Sequence, residues 1–287
     1  MSKFLSDVAQ KEFDSKVKLA FQGGYKLEGT SEYRGNVTGN SYDFRIMGKG
    51  MGHKRGAASS DVVPMDVTHG KPTAVMSDWE FPEYTDIFND AEVNFDEVSK
   101  LAATIAKAAG RRKDQLHLDA LASGTFNATL TAGEGLLVGT DVGGVGTGLN
   151  VDKLRAIKKM FVQREVSDET IYVAIDAEGL DDLLGNTEIT SADYNSVKAL
   201  VQGEVNQFLG MTFITFGIRE EGGLARNGAI QDGYAWTMSS VGVACGILDK
   251  VSTDWIPTKS SWLSNANLKM GSTIIDNEGV CKFQYTV

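Results

Sequence analysis

The sequence predicts an α+β fold with two interleaved layers, and three observations carry that expectation. A helical pattern starts at Asn94 and continues past Leu116, a strand–helix–strand unit lies between Glu169 and Gly217, and the last third reads as short strands separated by Gly and Asn turns. At 287 residues, 42% hydrophobic and 23% charged, the chain is long enough to bury a substantial core.

In chain order, residues 1–35 are polar and weakly patterned, with scattered aromatics at Phe4, Phe13, Phe21, Tyr25 and Tyr33. Ser41 to Gly48 alternates Tyr42, Phe44 and Ile46 against polar neighbours, the pattern of one half-buried strand. Lys49 to Pro72 has little hydrophobic period, and Thr73 to Phe88 again reads as extended. Two strands around so long a loop predict a hairpin that projects from the body.

Asn94 can cap a helix, with Glu97 closing a capping box. Val98, Leu101, Ile105, Ala109, Arg112, Leu116 and Ala120 then mark one face, and Gly124 ends the run. A single helix over 94–123 is expected, weakest at Gly110, where glycine costs about 1 kcal/mol relative to Ala. A second helix fits Val151 to Arg164, with Leu154, Ile157, Met160 and Phe161 on one side. "ETIYVAID" reads as a strand, "AEGLDDLLG" and "SADYNSVKALVQG" as helices, and "FLGMTFITFG" as a strand; that order implies a parallel crossover.

Chemical motifs are scarce. Gly139 to Gly148 holds five glycines before a helix, the setting of many phosphate loops. The dinucleotide pattern fails because Leu149 stands where the last glycine is needed, and both Gly-Lys pairs continue with glycine or proline instead of Ser or Thr. The run reads as tight turns. His53, His69 and His117 are isolated, and the carboxylates of "AIDAEGLDD" and "DNEG" read as solvated surface. No nucleophile elbow or Cys/His arrangement stands out. Cys245 and Cys281 form neither a disulfide framework nor a metal-ligand spacing and read as buried thiols of a chain made in a reducing cytosol. "AGRRKD" (Ala108 to Asp114) reads as solvated or salt-bridged at an interface, and "DWIPTKSSW" as packing. The net charge of −10 disfavours spontaneous binding to free nucleic acid. The sequence has neither an apolar run long enough to span a membrane nor the apolar core of a signal peptide at its start. No catalytic, cofactor-binding or metal residue is assigned, and no cofactor is expected.

The order of parts is more telling than any motif. "YDFRIMGKG", "FNDAEVNFDEVSKLAATIAKAAGRRKDQLHLDALA", "GLNVDKLRAIKKMF", "IYVAIDAEGLDDLL", "LVQGEVNQFLGMTFI" and "KMGSTIIDNEGVCKFQY" follow one another as the parts of the tailed-phage major capsid proteins do. Over roughly residues 15–287 the chain resembles that family, the Hong Kong 97 fold. The resemblance implies an N-terminal arm (1–35), an extended loop (36–90), a peripheral domain (91–135 and 245–287) with spine helix 94–123, and an axial domain (136–244). It also implies a structural protein, not an enzyme, whose copies form hexamers and pentamers of an icosahedral shell around packaged double-stranded DNA held without sequence-specific contact.

The implied partners are further copies of the chain, a portal, a separate scaffolding protein and, in some members, a decoration protein; no membrane is involved. The implied place is the virion, with assembly in the host cytoplasm. Expected intersubunit contacts are Phe4, Phe13, Arg45, Lys49, Lys54, Arg55, Asp61, Lys71, Arg111 and Arg112. Some members cross-link a loop lysine to a neighbour's asparagine; neither the loop lysines nor Asn265 and Asn267 show a specific signature, and no cross-link is assigned. Two alternatives remain. An encapsulin-type compartment shares the fold but encloses cargo enzymes, and the loop-rich start without an amphipathic first helix argues against it. A small-molecule α/β enzyme would use the 170–217 crossover, for which no catalytic set can be named.

Overall fold

A computed structural model describes residues 22–58, 61–86, 97–123, 137–138, 140–142, 144, 146–166, 168–185, 207–247 and 251–287. Phe4, Phe13, Asn94 and the helix expected near 191–203 lie outside the described residues.

The chain first forms seven short strands, β1 (Glu32–Arg34), β2 (Ser41–Asp43), β3 (Ile46–Met47), β4 (His69–Gly70), β5 (Thr73–Val75), β6 (Ser77–Glu80) and β7 (Glu83–Asp86). The long helix α1 (Glu97–Ser123) follows, then β8 (Leu137–Val138), α2 (Val151–Gln163), β9 (Ile171–Asp176) and α3 (Ala177–Gly185). The remainder comprises β10 (Gln207–Phe208), β11 (Met211–Phe216), β12 (Arg226–Asn227), β13 (Ile230–Thr237), β14 (Val241–Ile247), β15 (Val251–Ile256), β16 (Ser261–Ile274) and β17 (Val280–Thr286).

Two sheets organise the body. In the first, β1 pairs in parallel with β14, which pairs with β16; β16 also carries β15, β6 and β7. In the second the order is β10–β11–β9–β13–β17–β8, with β12 beside β13. β11 runs parallel to β9 with Met211 opposite Ile171, the crossover that the strand–helix–strand order implies.

Alternation along the strands builds the cores. On one face of the second sheet, Val173, Ile175, Ala235 and Phe283 pack with Leu154, Ile157 and Phe161 of α2 and Leu183 of α3. On the other, Ala174, Tyr234 and Trp236 pack with Leu118 and Leu121 of α1. The first sheet puts Cys245, Leu268 and Met270 toward Leu116 of α1. α1 thus spans both sheets, and it is unbroken through Gly110.

Several elements differ from the sequence reading. Ser41 to Gly48 is two strands, β2 and β3, not one. Opposite the break stands Pro72, whose carbonyl accepts from Phe44 N at 2.9 Å but which has no N–H to return the bond. Thr73 to Phe88 likewise divides: β5 pairs with β2, whereas β6 and β7 leave the hairpin and pair with β16. β1 is a strand paired with β14, and β17 sits in the second sheet between β13 and β8. The single apolar stripe on α1 is too narrow a description. Asp114, His117, Leu118 and Leu121 are buried as well as Ile105, Ala109 and Ala120, because α1 is covered by both sheets and by the segment 22–27.

Candidate assembly surfaces

The basic stretch inside α1 turns out to fasten the subunit to itself. Asp114 is fully buried, and its carboxylate accepts from Lys26 N at 3.0 Å, Leu27 N at 3.0 Å and Arg219 Nη1 at 3.1 Å. Burial pushes the Asp114 carboxyl up from its ordinary range, while those donors pull it down. Arg111 Nη1 donates to Gln22 Oε1 at 2.9 Å and to Gly23 O at 3.3 Å. Arg112 pairs with Glu221 and lies 3.9 Å over the Trp79 ring.

Gly110 explains itself here. A Cβ at that position would stand 2.7 Å from Tyr25 N, so the segment 22–27 can cross α1 only over a glycine. Gly222, at φ +72°, makes the matching approach from the loop after β11, its would-be Cβ 2.5 Å from Arg111 O, and its N–H donates to Gln115 Oε1 at 2.8 Å. His117 is buried against Trp236, ring centroids 5.5 Å apart, and among the described residues neither of its nitrogens has a hydrogen-bond partner. That burial alone lowers its pKa to about 4.

The glycine-rich turn is held from inside. Lys153 of α2 is buried, and its Nζ donates to Thr147 O at 2.6 Å and Gly148 O at 2.8 Å. Asn150 caps the helix by accepting from Lys153 N, and Asp182 accepts from Leu149 N at 2.8 Å. The loop turns the Thr147 and Gly148 carbonyls inward onto a cation, and the side-chain oxygens of Asn150 and Asp182 already accept from N–H groups at the start of the helix, an arrangement that suits a tight turn better than a phosphate cradle. Asp176, one of the carboxylates read as solvated, is buried, a correction: its Oδ1 accepts from Gly179 N at 2.8 Å and from Tyr285 Oη at 2.6 Å, capping α3. Cys245 and Cys281 are buried thiols. Among the described residues no group of His, Cys, Asp or Glu could hold a metal, and no helix is long and apolar enough to cross a membrane.

The outward-facing features lie elsewhere. The hairpin is laddered from Ser41–Val75 to Met47–His69, with Met76 N donating to Asn40 O below and Gly48 N to Thr68 O above. Its base is anchored: Phe44 packs with Ala74, Met76 and Ala244. Beyond Gly48 it exposes Met51 (78%), Val62 (94%), Val63 and Met65. Arg45, Lys54, Arg55 and Asp61 are exposed on it; Lys49 pairs with Glu278 at 2.7 Å and Lys71 with Asp43 at 2.8 Å. At the far end of the first sheet, Trp255 and Trp262 face each other across β15 and β16 with Tyr84 and Lys259 nearby, all at the surface.

Of the expected contact residues, then, the structure gathers Arg45, Lys49, Lys54, Arg55, Asp61 and Lys71 on one projecting element, and turns Arg111 and Arg112 inward to their own chain. The fastening partners Asp114, Arg219 and Glu221 were missed. The available signal was spacing: Asp114 precedes Leu118 and Leu121 by four and seven residues, which puts a carboxylate on a buried stripe.

The family model for phage capsid proteins matches residues 5–287. The chain belongs to that family. Solved structures place its fold: the capsid of the Cyanophage P-SCSP1u aligns at a TM-score of 0.76 with 16% identity, over 100% of this chain and 95% of that one. The mature capsid of bacteriophage PhiM1 aligns at 0.73 with 11% identity, over 97% and 92%. The capsid of a native GTA particle aligns at 0.70 with 14% identity, over 99% and 98%. No curated protein matches the sequence. The fold is the Hong Kong 97-like fold, and the capsid chain is a structural component of a phage head.

Proposed function

We propose that copies of this capsid chain form hexamers and pentamers that close an icosahedral shell around packaged double-stranded DNA. The observation that carries the reading is the hairpin. It is fixed at its base by Phe44, Ala74 and Met76, yet it holds Met51, Val62, Val63 and Met65 in solvent. Apolar side chains on so thin an element find cover only against another molecule.

The division into arm 1–35, extended loop 36–90, peripheral domain 91–135 with 245–287, and axial domain 136–244 belongs to the same proposal, with β1, β6, β7 and β17 tying the parts together. Phe4 and Phe13 of the arm and the basic side chains of the hairpin contact neighbouring subunits. A portal and a separate scaffolding protein complete the assembly in the host cytoplasm, and decoration proteins bind the finished shell where the phage has them. No catalytic residue is assigned: among the described residues the fully buried charged groups and histidine, Asp114, Lys153 and His117, sit in the interior, away from any substrate.

Size-exclusion chromatography with negative-stain microscopy tests this. Megadalton particles are expected; a stable monomer under conditions that favour assembly would contradict it. Nucleic acid inside particles purified from infected cells separates a phage head from an enzyme-loaded compartment.

A further inference from the structure

The proposed hairpin contact needs a receiving surface, and the structure offers one. A groove of about 360 Å³ opens between β1, the start of β9 and the turn at Met238–Ser240, lined by Glu32, Glu169, Thr170, Tyr172, Met238 and Ser239. Its floor is apolar, with Met238 47% exposed, and its rim is acidic. Glu169 is held in place by accepting from Ser239 N at 3.2 Å and Ser239 Oγ at 2.8 Å, and Glu165 and Asp168 lie exposed on the same turn.

The outgoing arm of the hairpin is the complement. Residues 44–58 carry Arg45, Lys49, Lys54 and Arg55 and no acidic residue, in a chain of net charge −10. Between the cations stand Met47 and Met51, both more than two-thirds exposed. A basic strip with methionines at intervals matches an apolar floor between carboxylates in both charge and polarity.

One such contact already exists within the chain. Lys49 Nζ pairs with Glu278 at 2.7 Å, with Glu165 and Asp276 adding to the field that raises the lysine's pKa. Glu278 belongs to the turn Asn277–Gly279, which adjoins the Met238–Ser240 turn through the bonds of Ile275 N and Asp276 N to Ser240 O. The acidic face therefore begins beside Lys49 of the subunit's own hairpin and continues to the groove. The subunit's own hairpin leaves both its methionines and the groove uncovered, so the occupant comes from elsewhere.

We propose that this groove receives residues 47–55 of the hairpin of a second copy, Met51 seated beside Met238 and Lys54 or Arg55 against Glu169 and Glu32. The inference rests on the hairpin being the intersubunit element and specifies where it lands.

Particles of a Met51→Cys/Met238→Cys double variant, oxidised with copper phenanthroline, test it directly. The native thiols are buried and contribute little background. A ladder of covalent multimers is expected on a denaturing gel from the double variant and from neither single variant. Met238→Lys, which sets a cation against the incoming basic strip, should lower particle yield at least tenfold while leaving the subunit's melting temperature unchanged, and Lys54→Glu with Arg55→Glu in the same chain should recover part of it. Absence of a ladder from assembled double-variant particles overturns the assignment. So does normal assembly of Met238→Lys. If either occurs while deletion of Met51 to Val67 still abolishes particles, the hairpin keeps its role and only the groove is wrong.

Discussion

Met270 and Met51 are the same residue type in the same chain, and the fold treats them oppositely. Met270 lies in β16 beneath α1, 2% exposed, among Cys245, Leu268 and Leu116. Met51 stands in the hairpin, 78% exposed, beyond the last paired residue of its strand. Around Met270 the neighbours are fixed by the first sheet and by α1. Around Met51, on the proposed reading, they are supplied by neighbouring subunits. The proposed reading separates two tasks: the body holds the subunit together, and the hairpin keeps its apolar surface for contact with other subunits. Substitutions in the body should therefore register in the unfolding of the free subunit, and substitutions in the hairpin in assembly.

The largest effect is expected at Asp114. Replacing it with Ala strands a buried guanidinium and two backbone N–H groups, and should destabilise the free subunit by about 3–5 kcal/mol in denaturant unfolding. An effect under about 1 kcal/mol would mean that the segment 22–27 is held by something else.

Next is a pH dependence. His117 has a folded pKa of about 4, below the unfolded value near 6.5, so between those values the unfolded chain binds the extra proton. Its contribution is fully present above pH 6.5 and is lost as pH falls toward 4, by up to roughly 3 kcal/mol. His117→Phe should flatten that part of the stability–pH curve; an unchanged slope would assign it to other groups.

A smaller effect carries an informative sign. Gly110→Ala in an ordinary helix would stabilise by about 1 kcal/mol. Here the added Cβ meets Tyr25 N, and a net loss of roughly 1–3 kcal/mol is expected. Stabilisation would show that the segment 22–27 can move aside at little cost. Smallest of all, Met51→Ser should change subunit stability by less than about 0.5 kcal/mol while reducing particle yield.

What the sequence made legible divides along the same line. α1, α2, α3 and the β9–β11 crossover could be read because their periods are local: Leu154, Ile157 and Phe161 do face the core. The hairpin could be read from its missing hydrophobic period, although the interruption opposite Pro72 calls for knowledge of the partner strand as well as of the strand itself. The partnerships of β1 with β14 and of β17 with β13 join residues far apart in the chain, and nothing within either strand specifies them. The same holds for Arg111 and Arg112. Two cations on a helix read as surface until the segment 22–23, Glu221 and Trp79 arrive around them. Gly110 is the sharpest instance, a helix's weakest residue when seen locally and the one that admits the crossing segment when seen in the fold.

The division of tasks between body and hairpin is tested most directly by deleting Met51 to Val67 and following the same preparation by thermal unfolding and sedimentation velocity. The expected result is a soluble subunit with an unchanged melting temperature that sediments without particles at concentrations where the full chain forms them. Particles of normal size and yield from the deleted chain would contradict it.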